Sequence, residues 1–311
     1  MLGITIGDPA GIGPEIVAVA LDAAPRQWRD QLIVFGDRAP LERAATLRGL
    51  ALPEIRIVGD GAGDAATPGA PDEHSGAAQV GYLEAAVAAA GRGELRAIVT
   101  APISKTWARR AGFPFLGHTE MLANRLGARD VAMFFVGPKL KVALATVHRP
   151  LVEVVTELTT ERVRVVIELV AAAMTRELGV PSPRIGVVGL NPHAGEDGLL
   201  GDEDAEIIAP ALVAPCGAAT LVGPLVPDAA FRDHLNGRYD AVVAMYHDQG
   251  LIPVKLIDFD ESVNVTLGLP IVRTSPDHGT AYDIAGKGVA RAVSMQRALA
   301  LAFEMVARRS A

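Results

Sequence analysis

Residues 239–248 read YDAVVAMYHD. The run from Ala241 to Met245 has no polar side, so a strand built from it must be covered on both faces. Such strands belong to parallel sheets sandwiched between helices. The run ends at a histidine, His247. Two other stretches repeat the pattern: KVALATV leads into His148, and RIGVVGLNP leads into His193. In an open parallel sheet, ligands bind in the crevice outside the carboxyl ends of the strands. Three imidazoles delivered there from three strands could converge on one metal ion, because neutral imidazole is the commonest protein metal ligand. The plainer alternative has each histidine capping its own strand end or bonding a backbone carbonyl.

Outward from these three points, short β-rich runs alternate with Ala/Leu/Glu-rich runs of helical period. Strands are expected at 2–6, 31–36, 55–58, 96–100, 131–136, 141–147, 184–189, 218–222 and 240–245. Helices are expected at 13–24, 38–48, 76–91, 119–127, 160–178, 203–213 and 289–309. The alternation implies βαβ units and an α/β fold with largely parallel sheets. The stretch 59–74, GDGAGDAATPGAPDEH, has no periodicity and reads as a mobile loop.

With 311 residues, half of them hydrophobic, the chain can bury one large or two medium cores. A net charge of −7 with scattered cations leaves no basic stripe, so nucleic acid is not expected as a partner. No apolar run reaches the length of a membrane span, and MLGITIGDPAGIGPEI lacks the pattern of a signal peptide. The single Cys216 excludes an intramolecular disulfide and agrees with a reducing cytoplasm.

Six motifs offer chemistry. GDPAGIGPE (7–15) follows the first strand; its glycines permit close backbone approach, and a helix opening at Pro14 could face an anion. It is not the Rossmann fingerprint, and no ribose-binding acid sits at the usual offset. TAPISK (100–105) places Thr100, Ser104 and Lys105 at a strand end. GHTEM (117–121) opens a helix with His118 and Thr119, whose free N–H groups suit a phosphate. LNPHAGEDGLLG (190–201) crowds Asn191, His193 and Glu196 into a Gly-rich loop. YHDQGLIPVK (246–255) ends on Lys255 among apolar residues, where desolvation would lower its pKa and fit it for proton transfer. A snorkelling lysine at a strand edge is the bland alternative. In the stretch 262–288, Asn264 and Arg273 could grip a carboxylate or phosphate, and DHGTAYDIAGKG would suit a nucleotide-binding loop.

GDPAGIGPE, TAPISK, GHTE, HRPL, GLNPHAGE, GPLVPD, YHDQG, VNVTLGLP and RTSPDHGTA, in this order over essentially the whole length, make the chain resemble the 4-hydroxythreonine-4-phosphate dehydrogenases of pyridoxine biosynthesis. The first motif also resembles the GDGIGPE start of isocitrate and isopropylmalate dehydrogenases, and HGTAYDIAGKG resembles their adenosine-binding loop. The resemblance implies a two-domain α/β/α subunit with a cleft between domains. It places an NAD-binding domain at 1–117 plus 273–311, and a metal, substrate and dimerisation domain at 118–272. It implies an obligate homodimer whose metal ligands are His148, His193 and His247, one from one subunit and two from the other. Substrate contacts fall on His118, Thr119, Lys255, Asn264 and Arg273, and Asp228 of GPLVPD falls near the metal. Cofactor contacts, to NAD or NADP, fall around Asp277, His278, Gly279 and Thr280. The ion would be Zn, Co, Mn or Mg, with imidazole ligands favouring Zn or Co.

The implied reaction is oxidation of 4-phosphohydroxy-L-threonine followed by decarboxylation to 3-amino-2-oxopropyl phosphate, with Lys255 and Asp228 handling protons. Competing readings are a paralogous D-threonate or D-erythronate 4-phosphate dehydrogenase of sugar-acid catabolism, a dihydrodiol dehydrogenase for aromatic carboxylates, a phosphate acyltransferase and a non-catalytic nucleotide sensor. The pair His118–Thr119 speaks against the dihydrodiol enzyme. The histidines and the HGTAYDIAGKG loop speak against the transferase.

Overall fold

The computed structural model describes residues 1–309 and divides the chain into two compact units. The first comprises Met1–Arg129 and Leu269–Val306; the second comprises Asp130–Gly268 and the end of the last helix. The division expected at 117/118 therefore falls at 129/130. The helix His118–Leu126 packs on the helix Glu73–Gly91, and Arg125 donates to Glu84 at 2.9 Å, so His118 and Thr119 belong to the first unit.

In the first unit the strands are β1 (Leu2–Thr5), β2 (Leu32–Phe35), β3 (Arg56–Val58), β4 (Ala97–Thr100) and β11 (Val272–Pro276), in the order β3-β2-β1-β4-β11. Every pairing is parallel. In the second unit they are β5 (Ala132–Val136), β6 (Lys141–Leu144), β7 (Arg184–Val188), β8 (Thr220–Leu225), β9 (Ala241–Ala244) and β10 (Val263–Leu267), in the order β10-β5-β6-β9-β7-β8. Here β10, β5 and β6 pair antiparallel, while β6, β9, β7 and β8 run parallel. Leu2–Thr5, Leu32–Phe35, Ala97–Thr100 and Ala241–Ala244 are buried throughout, as apolar runs without a polar side require.

All nine expected strands form. β10 and β11 were not expected, because Asn264, Thr266, Arg273, Thr274 and Ser275 break up the apolar run; yet Thr266, Arg273, Thr274 and Ser275 are buried. Five helices were also missed: Arg26–Arg29, Lys105–Arg110, Leu151–Glu157, Pro227–Leu235 and His247–Asp258. The last carries Gly250 and Pro253, which disguise it. Gly250 is there for contact: a Cβ on it would lie 2.6 Å from Leu144 Cδ2 on β6.

The loop expected to be mobile is fastened down. Arg43 donates to the carbonyls of Asp64 (2.7 Å) and Ala66 (3.0 Å), Gly69 N donates to Ala10 O (2.8 Å), and buried Asp37 accepts from the amides of Gly61 and Gly63. Its end, Asp72, caps the helix Glu73–Gly91 through a capping box with Ser75. Among the described residues no helix is long and apolar enough to cross a membrane.

Helix Pro227–Leu235 is tied to the second sheet by His234. Its Nδ1–H donates to the Tyr239 carbonyl (2.8 Å) and its Nε2 accepts from the Lys141 amide (2.8 Å). Burial holds its pKa below the ordinary imidazole value. The folded chain thus binds fewer protons here than the unfolded chain. The contribution is complete above the unfolded pKa and is lost as pH falls below about 6.5. Melting temperatures taken from about pH 8 down to about pH 5 should therefore fall less steeply for His234→Gln than for the wild type. Equal slopes would refute this role.

Candidate active site

Because β6, β9 and β7 are neighbours and parallel, their carboxyl ends share one edge, and His148, His247 and His193 follow those ends. Backbone bonds hold the edge together: Ala145 N donates to Ala244 O (2.8 Å), and Thr146 donates to Met245 O through N (3.1 Å) and Oγ1 (2.7 Å). Gln249 joins the other pair of strands. Its Oε1 accepts from Met245 N (2.6 Å) and its Nε2 donates to Gly189 O (2.7 Å). The rings of His148 and His247 stand 5.8 Å apart, centroid to centroid. Two imidazoles at that spacing can reach one ion, at roughly 2.0–2.1 Å per Zn–N bond.

Convergence of all three histidines is not completed within one chain. Among the described residues no group of three or more His, Cys, Asp or Glu side chains is placed to hold a metal. His193 stands apart in the turn Pro192–Gly195, its Nδ1 bonded to Glu196 Oε2 at 2.7 Å. His247 likewise meets Asp248 Oδ1 at 2.7 Å. The backbone here is unusual. His148, His193, Ala194, Glu196 and Asp197 all have φ between 43° and 54°, a region costly for residues with a Cβ. Buried Asp204 holds the strained loop by accepting from the amides of Leu190 (2.7 Å) and Asn191 (3.1 Å), and Asn191 donates to Glu203 (2.7 Å).

A second cluster lies in the first unit. Arg273 on β11 is 3% exposed and donates to Thr100 Oγ1 at the end of β4 (2.8 Å). Burial lowers its pKa to about 10, with Glu120 opposing. His118 opens the helix His118–Leu126; burial, then Arg273 and Lys105, push its pKa well below the usual imidazole value. Its Nε2 has no hydrogen-bond partner among the described residues. Thr119 is buried beside it. An imidazole pressed toward neutrality by burial and two cations, at a helix start with free N–H groups, has the chemistry to receive an anion. Sequence reasoning missed Gln79, whose Oε1 accepts from Ser104 N (2.7 Å) while its Nε2 is buried without a partner among the described residues. Its signal was a lone amide on the Ser75, Tyr82 and Leu83 face of an Ala-rich helix.

The proposed cofactor loop packs on the opening motif of the same unit. Tyr282 donates to Asp8 Oδ2 (2.6 Å), Ile12 N to Thr280 O (2.9 Å), and Gly286 N to Glu15 Oε1 (2.6 Å). Burial raises the Asp8 pKa, against the bonds from Tyr282 and Ala10. Gly7 and Gly13 are required by contact: a Cβ would fall 2.2 Å from Pro102 O and 2.0 Å from Ile6 O. A cavity of 210 Å³ lies beside this junction, lined by Pro9, Pro14, Glu15, Pro40, Leu47 and Gly286. Asp277, His278 and Thr280 are half-buried and Gly279 is exposed; Asp277 N donates to Ser294 Oγ (3.2 Å).

The remaining candidates belong to the second unit. Lys255 lies on the helix His247–Asp258, not at a strand edge, with its Nζ 5.2 Å from the Phe259 ring centroid. The apolar enclosure expected around it is absent within one chain, because Ile252, Leu256 and Phe259 are exposed. Asn264 sits on β10 opposite Phe135, its Oδ1 buried without a partner among the described residues. Asp228 is exposed in the first turn of the helix Pro227–Leu235.

Comparison with known proteins gives a consistent result. The family model for the pyridoxal phosphate biosynthetic protein PdxA matches residues 27–302. The chain is 44% identical to a 4-hydroxythreonine-4-phosphate dehydrogenase of Desulforapulum autotrophicum, over 97% of this chain and 94% of that one. It is similar to the crystal structure of 4-hydroxythreonine-4-phosphate dehydrogenase from Klebsiella pneumoniae, with TM-score 0.86 and 38% identity, covering 98% and 99% of the two chains. Similarity to a terephthalate 1,2-cis-dihydrodiol dehydrogenase from Burkholderia xenovorans LB400 is weaker: TM-score 0.66 and 30% identity, over 97% and 96%.

The strained loop yields a direct test. Ala194, at φ 54°, uses no side-chain chemistry in the site. Ala194→Gly should raise the unfolding free energy by about 0.5–1 kcal/mol, read from the denaturation midpoint, because glycine tolerates this conformation. A lowered midpoint would mean that the Ala194 methyl contributes more by packing than the backbone loses by strain.

Proposed function

Because the chain belongs to the PdxA family of pyridoxal phosphate biosynthetic proteins, we propose that it oxidises 4-phosphohydroxy-L-threonine with NAD or NADP and then decarboxylates the product to 3-amino-2-oxopropyl phosphate. The observation that carries this reading is the delivery of His148, His247 and His193 past the carboxyl ends of three adjacent parallel strands. The proposal includes one divalent ion, Zn, Co, Mn or Mg, held by His148 and His247 of one protomer and a His193 from a second copy. An all-imidazole protein set fits Zn or Co better than Mg. When bound, the ion supplies Lewis acidity to the secondary hydroxyl and to the ketone it becomes. When bound, NAD or NADP would supply the hydride acceptor for the carbon bearing that hydroxyl.

The side chains have distinct tasks. Arg273, with His118 and Thr119, holds the phosphate and carboxylate ends through charge-assisted bonds. Asn264 orients the substrate by its amide. Lys255 takes the hydroxyl proton at Nζ and supplies the proton that replaces carbon dioxide, with Asp228 assisting. Asp277, His278, Gly279 and Thr280 hold the cofactor, which assigns the first unit to the dinucleotide and the second to the metal and the dimer contact.

The homodimer is supported by the second unit's exposed apolar side chains. Leu151 and Val152 follow His148, Leu199 follows His193, and Ile252 and Leu256 follow His247. Removing such surface from water stabilises an assembly by about 25 cal/mol per Å² of apolar area. Cover over Ile252, Leu256 and Phe259 would also shield Lys255 from water. A cytoplasmic setting accords with one unpaired, buried cysteine.

Reduced-nicotinamide formation from 4-phosphohydroxy-L-threonine should be lost with a chelator and restored by Zn or Co. His247→Ala should lose both turnover and bound metal; full activity in chelator would overturn the metal assignment. Turnover of only D-threonate or D-erythronate 4-phosphate would overturn the amino substrate. Arg273→Ala should raise KM by roughly 10- to 100-fold, the size of a charged hydrogen bond to substrate. An unchanged KM would remove Arg273 from the anion grip.

A further inference from the structure

Two of the three strand-end histidines carry the same local arrangement. His193 Nδ1 lies 2.7 Å from Glu196 Oε2, and His247 Nδ1 lies 2.7 Å from Asp248 Oδ1. An ionised carboxylate only accepts hydrogen bonds. At both sites Nδ1 therefore carries a proton, and in the neutral ring the lone pair is left on Nε2. We infer that Glu196 and Asp248 are positioning residues that fix His193 and His247 in the Nδ1–H tautomer, each presenting Nε2 as a metal donor. The inference rests on the metal-dependent function proposed above and adds two residues to it.

Three features argue for this role. First, both contacts are local, at three residues and at one residue of separation, so each protomer sets its own tautomers. The geometry exists before any ion arrives and does not depend on which copy supplies the third imidazole. Second, the exposed sites make stability an inadequate reason for the contacts. The His193 and Glu196 side chains are 61% and 52% exposed, and those of His247 and Asp248 are 42% and 73% exposed. Ion pairs this open contribute little to folding. Third, Glu196 makes its contact from a left-handed backbone, φ 43°, next to Asp197 at φ 54°. Non-glycine residues in that region persist where surrounding structure over-determines them, commonly at functional sites. Here Asp204 anchors the start of the same loop through Leu190 and Asn191. A metal-bound imidazole whose other nitrogen donates to a carboxylate is held in orientation and made a better ligand.

A simpler role for Asp248 is available, because it lies in the first turn of the helix His247–Asp258, where a negative charge is favourable. The two roles separate experimentally. Long-range proton–nitrogen NMR on the metal-free full-length protein, with histidines labelled and assigned by His193→Gln and His247→Gln, reports which ring nitrogen carries the proton. Both rings should be in the Nδ1–H form in the wild type. Glu196→Ala and Asp248→Ala should each shift the corresponding ring toward a tautomer mixture. Zinc and cobalt affinities, measured by competition with a chromophoric chelator, should weaken by roughly 10- to 100-fold in each Ala variant. Glu196→Gln and Asp248→Asn, which keep an acceptor oxygen, should recover part of the loss.

A wild-type ring found in the Nε2–H form would overturn the inference for that residue. So would an Ala variant that binds zinc as tightly as the wild type. A helix-end role alone would lower the melting temperature of Asp248→Ala and leave both zinc affinity and tautomer unchanged. If the wild type bound neither metal, the metal reading would fall and take this inference with it. That failure is told apart by Nδ1–H tautomers persisting in a protein with no zinc or cobalt affinity.

Discussion

Gln249 spans two strand ends, accepting from Met245 N with its Oε1 and donating to Gly189 O with its Nε2. Thr146 makes the matching tie on the other side, through two bonds to Met245 O. Together they keep the carboxyl ends of β6, β9 and β7 at one level. The strands themselves are nearly featureless apolar runs, covered on both faces, and have no room for a polar group. Chemistry is thereby displaced to the first residues past the strands, where the chain leaves the sheet and its polar groups can be satisfied again. The three histidines occupy those residues. The sheet's hydrogen bonding thus does for the site what no single side chain could: it sets three separated segments of sequence side by side.

The first unit works by a different constraint. Arg273 is on a strand, nearly inaccessible, and its guanidinium is bonded to Thr100 at the end of the neighbouring strand. A buried cation is costly, and the cost shows in its pKa, lowered to about 10. Nearby, His118 is driven toward its neutral form by burial and by the positive charge of Arg273 and Lys105. Such a cluster is more unfavourable empty than with an anion present, since a bound phosphate or carboxylate would offset the unfavourable terms together. The arrangement resembles a receptor more than a folding device. His234 is the instructive contrast. It too is buried and neutral, but both of its nitrogens are satisfied by backbone groups, so nothing remains for a ligand.

The sequence was most legible where one physical demand acted alone. The apolar strands and the longer amphipathic helices follow from burial, and the strand-end histidines were visible because they interrupt such runs. It was least legible where two demands met in one segment. Strands β10 and β11 carry polar side chains inward, so their alternation looks like a binding loop although the backbone is in a sheet. The helix His247–Asp258 contains a glycine needed for close packing on β6 and a proline, both of which argue against a helix when read locally. The stretch 59–74 has the composition of a flexible segment, and nothing in its own sequence reveals Arg43 and Asp37 as its anchors. Gln79 was invisible for the same reason. Its importance lies in what Ser104 needs, not in its own surroundings.

The third histidine shows how far one chain can carry the argument. The rings of His148 and His247 lie 5.8 Å apart, whereas His193 sits in its own turn, bonded to Glu196. If the backbone strain at His193, Glu196 and Asp197 served only to turn the chain, glycine would do so at lower cost; the loop already uses glycine at positions 195, 198 and 201. An imidazole and two carboxylates stand at these strained positions beside the glycines, which points to the side chains as the reason. An imidazole held outward on a rigid, over-determined turn is suited to meet a partner that the same chain does not supply. The exposed Leu199 a few residues on gives that turn an apolar shoulder, of the kind a protein surface leaves open where another surface is to cover it. The strain, the carboxylate and the apolar shoulder each have a separate physical origin, and the second copy proposed above would give the outward imidazole and the shoulder a common use.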